Sequence, residues 1–400
     1  MNTRADLPQL IKVRQRLKRP VMDNLVPNVL VQLQRLENLP AHAKVALTVG
    51  SRGITDLVPI VRTVADFLRS SGLQPFVVAC MGSHGGGTVD GQLEVLHGYG
   101  ITEQALGIPV MASTETVSFF GAAYGDDVHV NKLAWDADCM VVINRVKKHT
   151  DIHAPIESGL CKMIAIGLGN KKQAEILHHN GLDVLSDSIP LIAADVVATK
   201  KVLFGVAIVE NAYAQTALVE VIAPEDMVSR EKELLQYALE LSPKLPVDRL
   251  DVLVIDEGGK DYSGSCIDTH VIGRMRLEGE RDLPTPTIHR VVVCDLSEHS
   301  QGNAAGIGLA DFITRRFFDK IDFPSTYTNC ISCIFPERGK LPIVMESDED
   351  AIAAALATCR ASSRANPRVI RIHDTLHLEE MYVSKAVLDE IQDDPKIIIS

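Results

Sequence analysis

Twice in succession a short apolar run breaks into a glycine-bearing loop and then into a segment of helical period. Lys44–Val49 (KVALTV) leads into Gly50-Ser51-Arg52-Gly53, and Asp56–Ser71 then repeats its apolar residues at helical spacing. Gln74–Cys80 (QPFVVAC) leads into Met81-Gly82-Ser83-His84-Gly85-Gly86-Gly87-Thr88, and Val89–His97 reads as the next helix. Strand, loop, helix, strand, loop, helix is the unit of a parallel sheet, and it restricts the chain to an α/β fold. In such sheets the loops after the strands lie at the ligand-binding edge.

A third apolar run, Cys139–Ile143, opens onto NRVKKHTDIHAPIESGLCKMIAIGLGNKKQAEILHHN, residues 144–180. Lys162 stands there among Cys, Met and Ile, where an amine must be paired or carry a lowered pKa. His178 and His179 follow sixteen residues later. A solvated basic loop and a helix with surface histidines would give the same pattern, and no metal signature has this spacing. Residues 159–169 read equally as a helix or a buried loop, Val130–Asp138 as a helix, Lys171–His179 and Glu225–Leu241 as helices, and Val202–Val209 as a strand.

Two prolines in Ser242-Pro243-Lys244-Leu245-Pro246 mark a domain boundary. A second α/β pattern follows. Strands are expected at Asp251–Ile255, Arg290–Cys294 and Val369–Ile372, and helices at Ala310–Asp319, Asp348–Cys359 and Ser384–Gln392. The expected architecture is two α/β domains with mostly parallel sheets and a cleft between them. Residues 1–245 would form the cofactor-binding domain, its first 43 residues an arm and one helix, and residues 246–400 a domain closing over the cleft.

The net charge of −12 argues against nucleic acid, whose binders are basic. No apolar run reaches membrane-spanning length and the N-terminal segment lacks an apolar signal core, so a cytoplasmic protein is expected. Homo-oligomerisation is left open. The eight cysteines are scattered through apolar runs, as buried thiols are, and Cys330 and Cys333 alone form a CxxC.

Four loops then carry the chemistry: Ser51-Arg52-Gly53, the glycine run with His84, the lysine–histidine loop, and Glu257-Gly258-Gly259-Lys260-Asp261. The glycine run before a helix suits an anion. It is neither a Walker A loop nor a dinucleotide fingerprint. No paired carboxylates and no nucleophile elbow accompany it.

The order of these loops resembles the lactate racemase family that depends on a nickel-pincer nucleotide. Gly82-Ser83-His84-Gly85 stands at that family's glycine-rich loop, and Ser158-Gly159-Leu160-Cys161-Lys162 lies in register with the segment whose lysine can bond to the cofactor. His178, with His179 as alternate, takes the place of the nickel-ligating histidine. His149 or His153 corresponds to a proton-transfer histidine, at a different spacing from the lysine, and Gly258-Gly259-Lys260-Asp261 matches the loop opening the second domain in part. Of the family's first loop only Arg52 remains, and Gly85 stands where the family has arginine.

The resemblance implies a racemase or epimerase of a 2-hydroxy acid acting by hydride transfer to and from the nickel-pincer nucleotide, a pyridinium mononucleotide holding nickel(II) through sulfur and carbon. It implies His84 with His149 or His153 as bases, and Arg52 and Lys260 on the substrate carboxylate. Ser51, Gly82, Ser83, Gly85, Gly86, Thr88, Lys148, Ser158, Lys162 and His178 would contact the cofactor, with His178 on nickel. Arg145, Lys147 and Lys148 would hold a second carboxylate, as of malate. A non-catalytic nucleotide- or nickel-binding protein, and a sugar-acid epimerase with the same cofactor, are the competing readings.

Overall fold

The computed structural model describes residues 7–179, 181–359 and 365–400. The chain divides into two compact units, residues 19–242, and residues up to 18 together with 243–400. The division falls in the proline-punctuated segment. The first strand, β1 (Leu10–Gln15), belongs with the C-terminal unit, because its partners lie near the end of the chain.

Residues 19–242 run α1 (Leu25–Leu33), β2 (Lys44–Val49), α2 (Leu57–Ser70), β3 (Gln74–Ala79), α3 (Val89–Gly98), α4 (Glu103–Leu106), β4 (Val110–Met111), β5 (Thr116–Phe120), β6 (Asp127–Asn131), α5 (Lys132–Asp136), β7 (Cys139–Arg145), α6 (Leu160–Lys162), α7 (Asn170–His179), α8 (Leu182–Ala198), β8 (Val202–Glu210), β9 (Thr216–Ile222) and α9 (Met227–Leu241). The sheet order is β4-β3-β2-β7-β8-β9, parallel except for β9. β2 is buried on both faces, as a central parallel strand must be. Val45, Leu47 and Val49 pack with Ile60, Val61, Val64 and Leu68 of α2, whose spacing forms one apolar stripe. Ala46, on the opposite face, packs with residues of α6, α8 and α9.

The segment 130–138 is not one helix. Val130 and Asn131 end β6, and Asn131 then caps α5 by accepting the Leu133 and Ala134 amides. Residues 160–167 are helical and mostly buried: α6 passes into a π-helical turn at Met163–Gly167.

The C-terminal unit continues with β10 (Arg249–Gly258), α10 (Thr269–Ile272), β11 (Thr287–Leu296), β12 (Phe312–Thr314), α11 (Arg315–Asp319), α12 (Phe323–Ser332), β13 (Ile343–Met345), α13 (Asp348–Thr358), β14 (Val369–Ile372), β15 (Glu380–Ser384), α14 (Lys385–Ile391) and β16 (Ile397–Ile399). Its sheet runs β13-β12-β11-β10-β14-β15-β1-β16, parallel from β13 to β14 and antiparallel beyond. The helix expected over 310–319 is shortened to α11, because Phe312–Thr314 are buried between β11 and β13 as a strand. None of the eight cysteines is in a disulfide, and seven of them are buried. Among the described residues no helix is long and apolar enough to cross a membrane.

Candidate functional site

Within residues 19–242, three chemically loaded loops leave the carboxyl ends of three neighbouring strands. Residues 80–88 follow β3, residues 50–56 follow β2, and residues 146–159 follow β7, with β2 in the middle. The chain winds outward from β2 to β3 and β4, then returns to the other side of β2 as β7. That reversal is the switch point at which open α/β sheets leave a crevice for a ligand.

The loop after β7 is closed on itself. Lys147 and Ser158 form an isolated antiparallel bridge, the Lys147 amide donating to the Ser158 carbonyl at 2.8 Å. The Asn144 side chain donates to the Gly159 carbonyl at 2.7 Å, and buried Glu157 accepts the His149 amide at 2.6 Å. Burial pushes the Glu157 carboxyl up to about 7, although the amides of His149 and Ala154 and the charges of Lys148 and Lys162 oppose the shift.

Lys162 ends α6, and α6 is anchored from below. Glu231, fully buried on α9, accepts the Cys161 amide at 2.8 Å, placing a carboxylate at the helix start. Burial raises its pKa to about 7. The π-helical turn presses on the end of β3: a Cβ on Gly167 would lie 2.6 Å from Met163 Sδ and 2.9 Å from the Cys80 carbonyl oxygen. π-turns of this kind recur at functional sites. Lys162 is half-buried and enclosed by protein, which lowers its amine to about 8; Asp151 and Glu157 hold it up, and Arg52 pushes it further down.

The histidines gather around this amine. His84 is reached by solvent, yet protein walls it on most sides. That enclosure, then the Arg52 cation, then Lys162 and His178, push the ring down to about 4. Its Nδ1 lies 2.9 Å from the Met81 carbonyl oxygen. His149 is held well below its ordinary value by burial and by Lys162, Lys147, His178 and His153. Its Nδ1 receives the amides of Asp151 and Ile152, both at 3.1 Å. His178, in the last turn of α7, is half-buried and lowered by burial and by Lys162. His153 and His179 are exposed.

Lys162 therefore acts electrostatically on His84, His149 and His178, Arg52 acts on His84 and Lys162, and Lys147, Lys148 and His153 lie on the same closed loop as His149. Arg145 does not join them as a carboxylate ligand. It is paired with Glu210, whose other oxygen accepts the Thr55 amide. The glycine run is also more self-contained than an open anion cradle. The Gly87 and Thr88 amides donate to the carbonyls of His84 and Gly85, and Thr88 Oγ1 caps α3 by accepting the Gly91 amide. Gly85 is required by the turn itself: its φ is +66°, and a Cβ would lie 2.6 Å from the Gly91 carbonyl carbon. Gly82 and Gly86 also have positive φ, and Ser83 is exposed beside His84. The Ser51 carbonyl accepts the Tyr99 hydroxyl at 3.1 Å.

Lys260 belongs to the C-terminal unit. There it follows β10, its Nζ donating to the Gly264 carbonyl at 2.6 Å and its amide to Ser300 Oγ at 2.8 Å.

Sequence reasoning missed Asp151, Glu157 and Glu231. For Glu231 a signal existed: Met227, Glu231, Leu234, Ala238 and Leu241 share one helical stripe, and all are buried. A glutamate on that stripe had to meet a donor. Glu157 carried no comparable mark.

Comparisons with known proteins bear on the fold. The family model of a domain of unknown function, DUF362, matches residues 50–245. No curated protein matches. Among solved structures, the lactate racemase apoprotein of Thermoanaerobacterium thermosaccharolyticum is similar, with a TM-score of 0.50 and 12% identity over 92% of this chain and 89% of that one. At that identity the likeness speaks for the fold, a mixed α/β architecture with mostly parallel sheets.

Proposed function

We propose that the chain is a racemase or epimerase of a 2-hydroxy acid that uses a nickel-pincer nucleotide. The observation that supports this reading is the meeting of His84, Lys162 and His178 at one carboxyl sheet edge, each within the electrostatic field of the others. The donor set fits the group. Burial and Lys162 lower the pKa of His178, which favours the neutral ring whose lone pair would be offered to a soft metal. Lys162, near 8, is part cation and part free amine, suited either to an anionic nucleotide or to a covalent link. Bound there, the pyridinium group would supply a hydride acceptor and donor.

The chain's own residues do the rest. His84 takes the hydroxyl proton of the substrate as a base and returns it after the planar keto acid has been reduced from its other face. Arg52 holds the substrate carboxylate through its guanidinium fork. Lys147 and Lys148 serve a second carboxylate, which makes a dicarboxylate such as malate the preferred substrate.

The test is nickel content and intact mass of the protein produced alongside a nickel-pincer biosynthesis pathway. Stoichiometric nickel that disappears in His178→Ala is expected, with a mass increase if Lys162 is bonded to the group. Absence of nickel under those conditions overturns the reading. Nickel without turnover of any hydroxy acid would leave a carrier or sensor in its place.

The dicarboxylate assignment has its own check. Replacing Lys147 and Lys148 by Ala should lower kcat/KM for malate about 10- to 100-fold, the loss of one charge-assisted hydrogen bond. Lactate turnover should change little. Unaltered malate turnover would remove the assignment.

A further inference from the structure

Two histidines of the site are locked in opposite tautomers by their backbone partners. His84 Nδ1 lies 2.9 Å from the Met81 carbonyl, which can only accept. The proton of the neutral ring is therefore on Nδ1, and Nε2 keeps its lone pair. His149 Nδ1 receives two backbone amides, from Asp151 and Ile152, at 3.1 Å each, and amides can only donate. Its lone pair is therefore on Nδ1, and the ring proton is on Nε2.

Protonating His149 would put a third hydrogen against those two donors. It would also add a cation among Lys162, Lys147, His178 and His153. Moving the proton from Nε2 to Nδ1 meets the same two amides. A ring so held neither gains a proton nor offers Nε2 as a base.

We propose that His149 is a fixed Nε2–H hydrogen-bond donor to the C2 oxygen of the substrate, and that His84 is the only proton carrier of the two. The inference takes the identity of that oxygen from the function proposed above; the tautomer itself does not depend on it. In the reaction the substrate O–H bond breaks and an N–H bond forms at His84 Nε2. No bond to His149 forms or breaks. Its N–H stabilises the charge on the oxygen, the role of a neutral imidazole electrophile. With one base, the oxygen stays in place and the keto acid presents its second face by turning about the C2–O axis. That turn exchanges the two groups flanking C2, and a dicarboxylate carries a carboxylate on both.

The tautomers are read directly by long-range proton–nitrogen correlation spectra of histidine-labelled protein between about pH 6 and pH 8, where an ordinary histidine titrates. Signals are assigned by their loss in His149→Asn and His84→Gln. His149 is expected in the Nε2–H form without titrating, and His84 in the Nδ1–H form. An Nδ1–H pattern or a titration at His149 overturns the proposal, whether or not any hydroxy acid is turned over.

Activity of the nickel-loaded enzyme supplies the second arm. His149→Asn keeps an acceptor near the Nδ1 position but loses the far donor, and kcat should fall about 10²- to 10³-fold, as on deletion of an oxyanion donor. His149→Gln restores a donor near Nε2 and should recover most of that loss. Equal loss in both variants would make His149 a base, and an unimpaired Asn variant would make it only a turn-former; either outcome overturns the proposal.

Discussion

His84→Gln is expected to lower turnover of the 2-hydroxy acid about 10²- to 10⁴-fold, the usual contribution of a positioned base, while nickel content and intact mass stay at their wild-type values. The separation follows from the site. Lys162 and His178 are assigned to the cofactor, and His84 reaches the group through neither. Glutamine keeps a similar length and polarity but cannot take a proton.

The pH dependence gives the sign. A base works in its neutral form, and the His84 ring is pushed down to about 4. As pH falls from neutrality, kcat/KM should stay level to about pH 5 and decline only below it. A histidine at its ordinary value near 6.5 would begin to fail well before that. Because the Arg52 cation contributes to the lowering, Arg52→Met should move the limb toward higher pH as well as weakening carboxylate binding. A limb near 6.5 in the wild-type enzyme, or a His84→Gln variant with undiminished turnover, would sink the assignment.

The contrast between His84 and His149 was beyond the reach of the sequence, although both residues stood out in it. What separates them is a carbonyl at one ring and a pair of amides at the other. Both come from loop conformation: the positive φ values of Gly82 and Gly85 around one, and the bridge between Lys147 and Ser158 around the other. The framework was easier. KVALTV and QPFVVAC are short apolar runs bounded by turn residues and alternating with helical segments, the mark of strands buried on both faces, and α2 follows from its stripe. β1 was not legible, since LIKVRQ forms a strand only between residues 380–384 and 397–399, at the far end of the chain. Phe312–Thr314 looked like the start of a helix, and sheet position overrode local period. The Arg145 assignment failed for a similar reason: its partner Glu210 ends a neighbouring strand, and only the pairing of β7 with β8 brings them together.

Gly159→Ala should be among the most damaging single substitutions in residues 19–242, and it should act on the site as well as on stability. The φ of Gly159 is 176°, extended backbone that any residue adopts, so the need for glycine is steric. A Cβ there would lie 2.5 Å from Glu231 Cδ and Oε1 and 2.9 Å from Oε2. Glu231 has little room to retreat, because it is fully buried and holds the Cys161 amide. Overpacking costs about 1–3 kcal/mol, and leaving a buried amide unpaired costs a further 1–3 or so. For a unit of this size each kcal/mol lowers Tm by about 2–4 °C, so a fall of roughly 5–20 °C is expected in a thermal melt. Lys162 lies in the turn that Gly159 opens. Any adjustment of α6 moves its amine relative to His84 and His178, and the retained variant should hold less nickel. A double-mutant cycle isolates the cause. Glu231→Ala alone removes the anchor, but combined with Gly159→Ala it makes room for the new methyl group. The pair should therefore cost less than the sum of the single changes, by about 0.5–3 kcal/mol, the range seen for residues in contact. Strict additivity would mean that the two residues do not press on each other, and Gly159 would then need a different explanation.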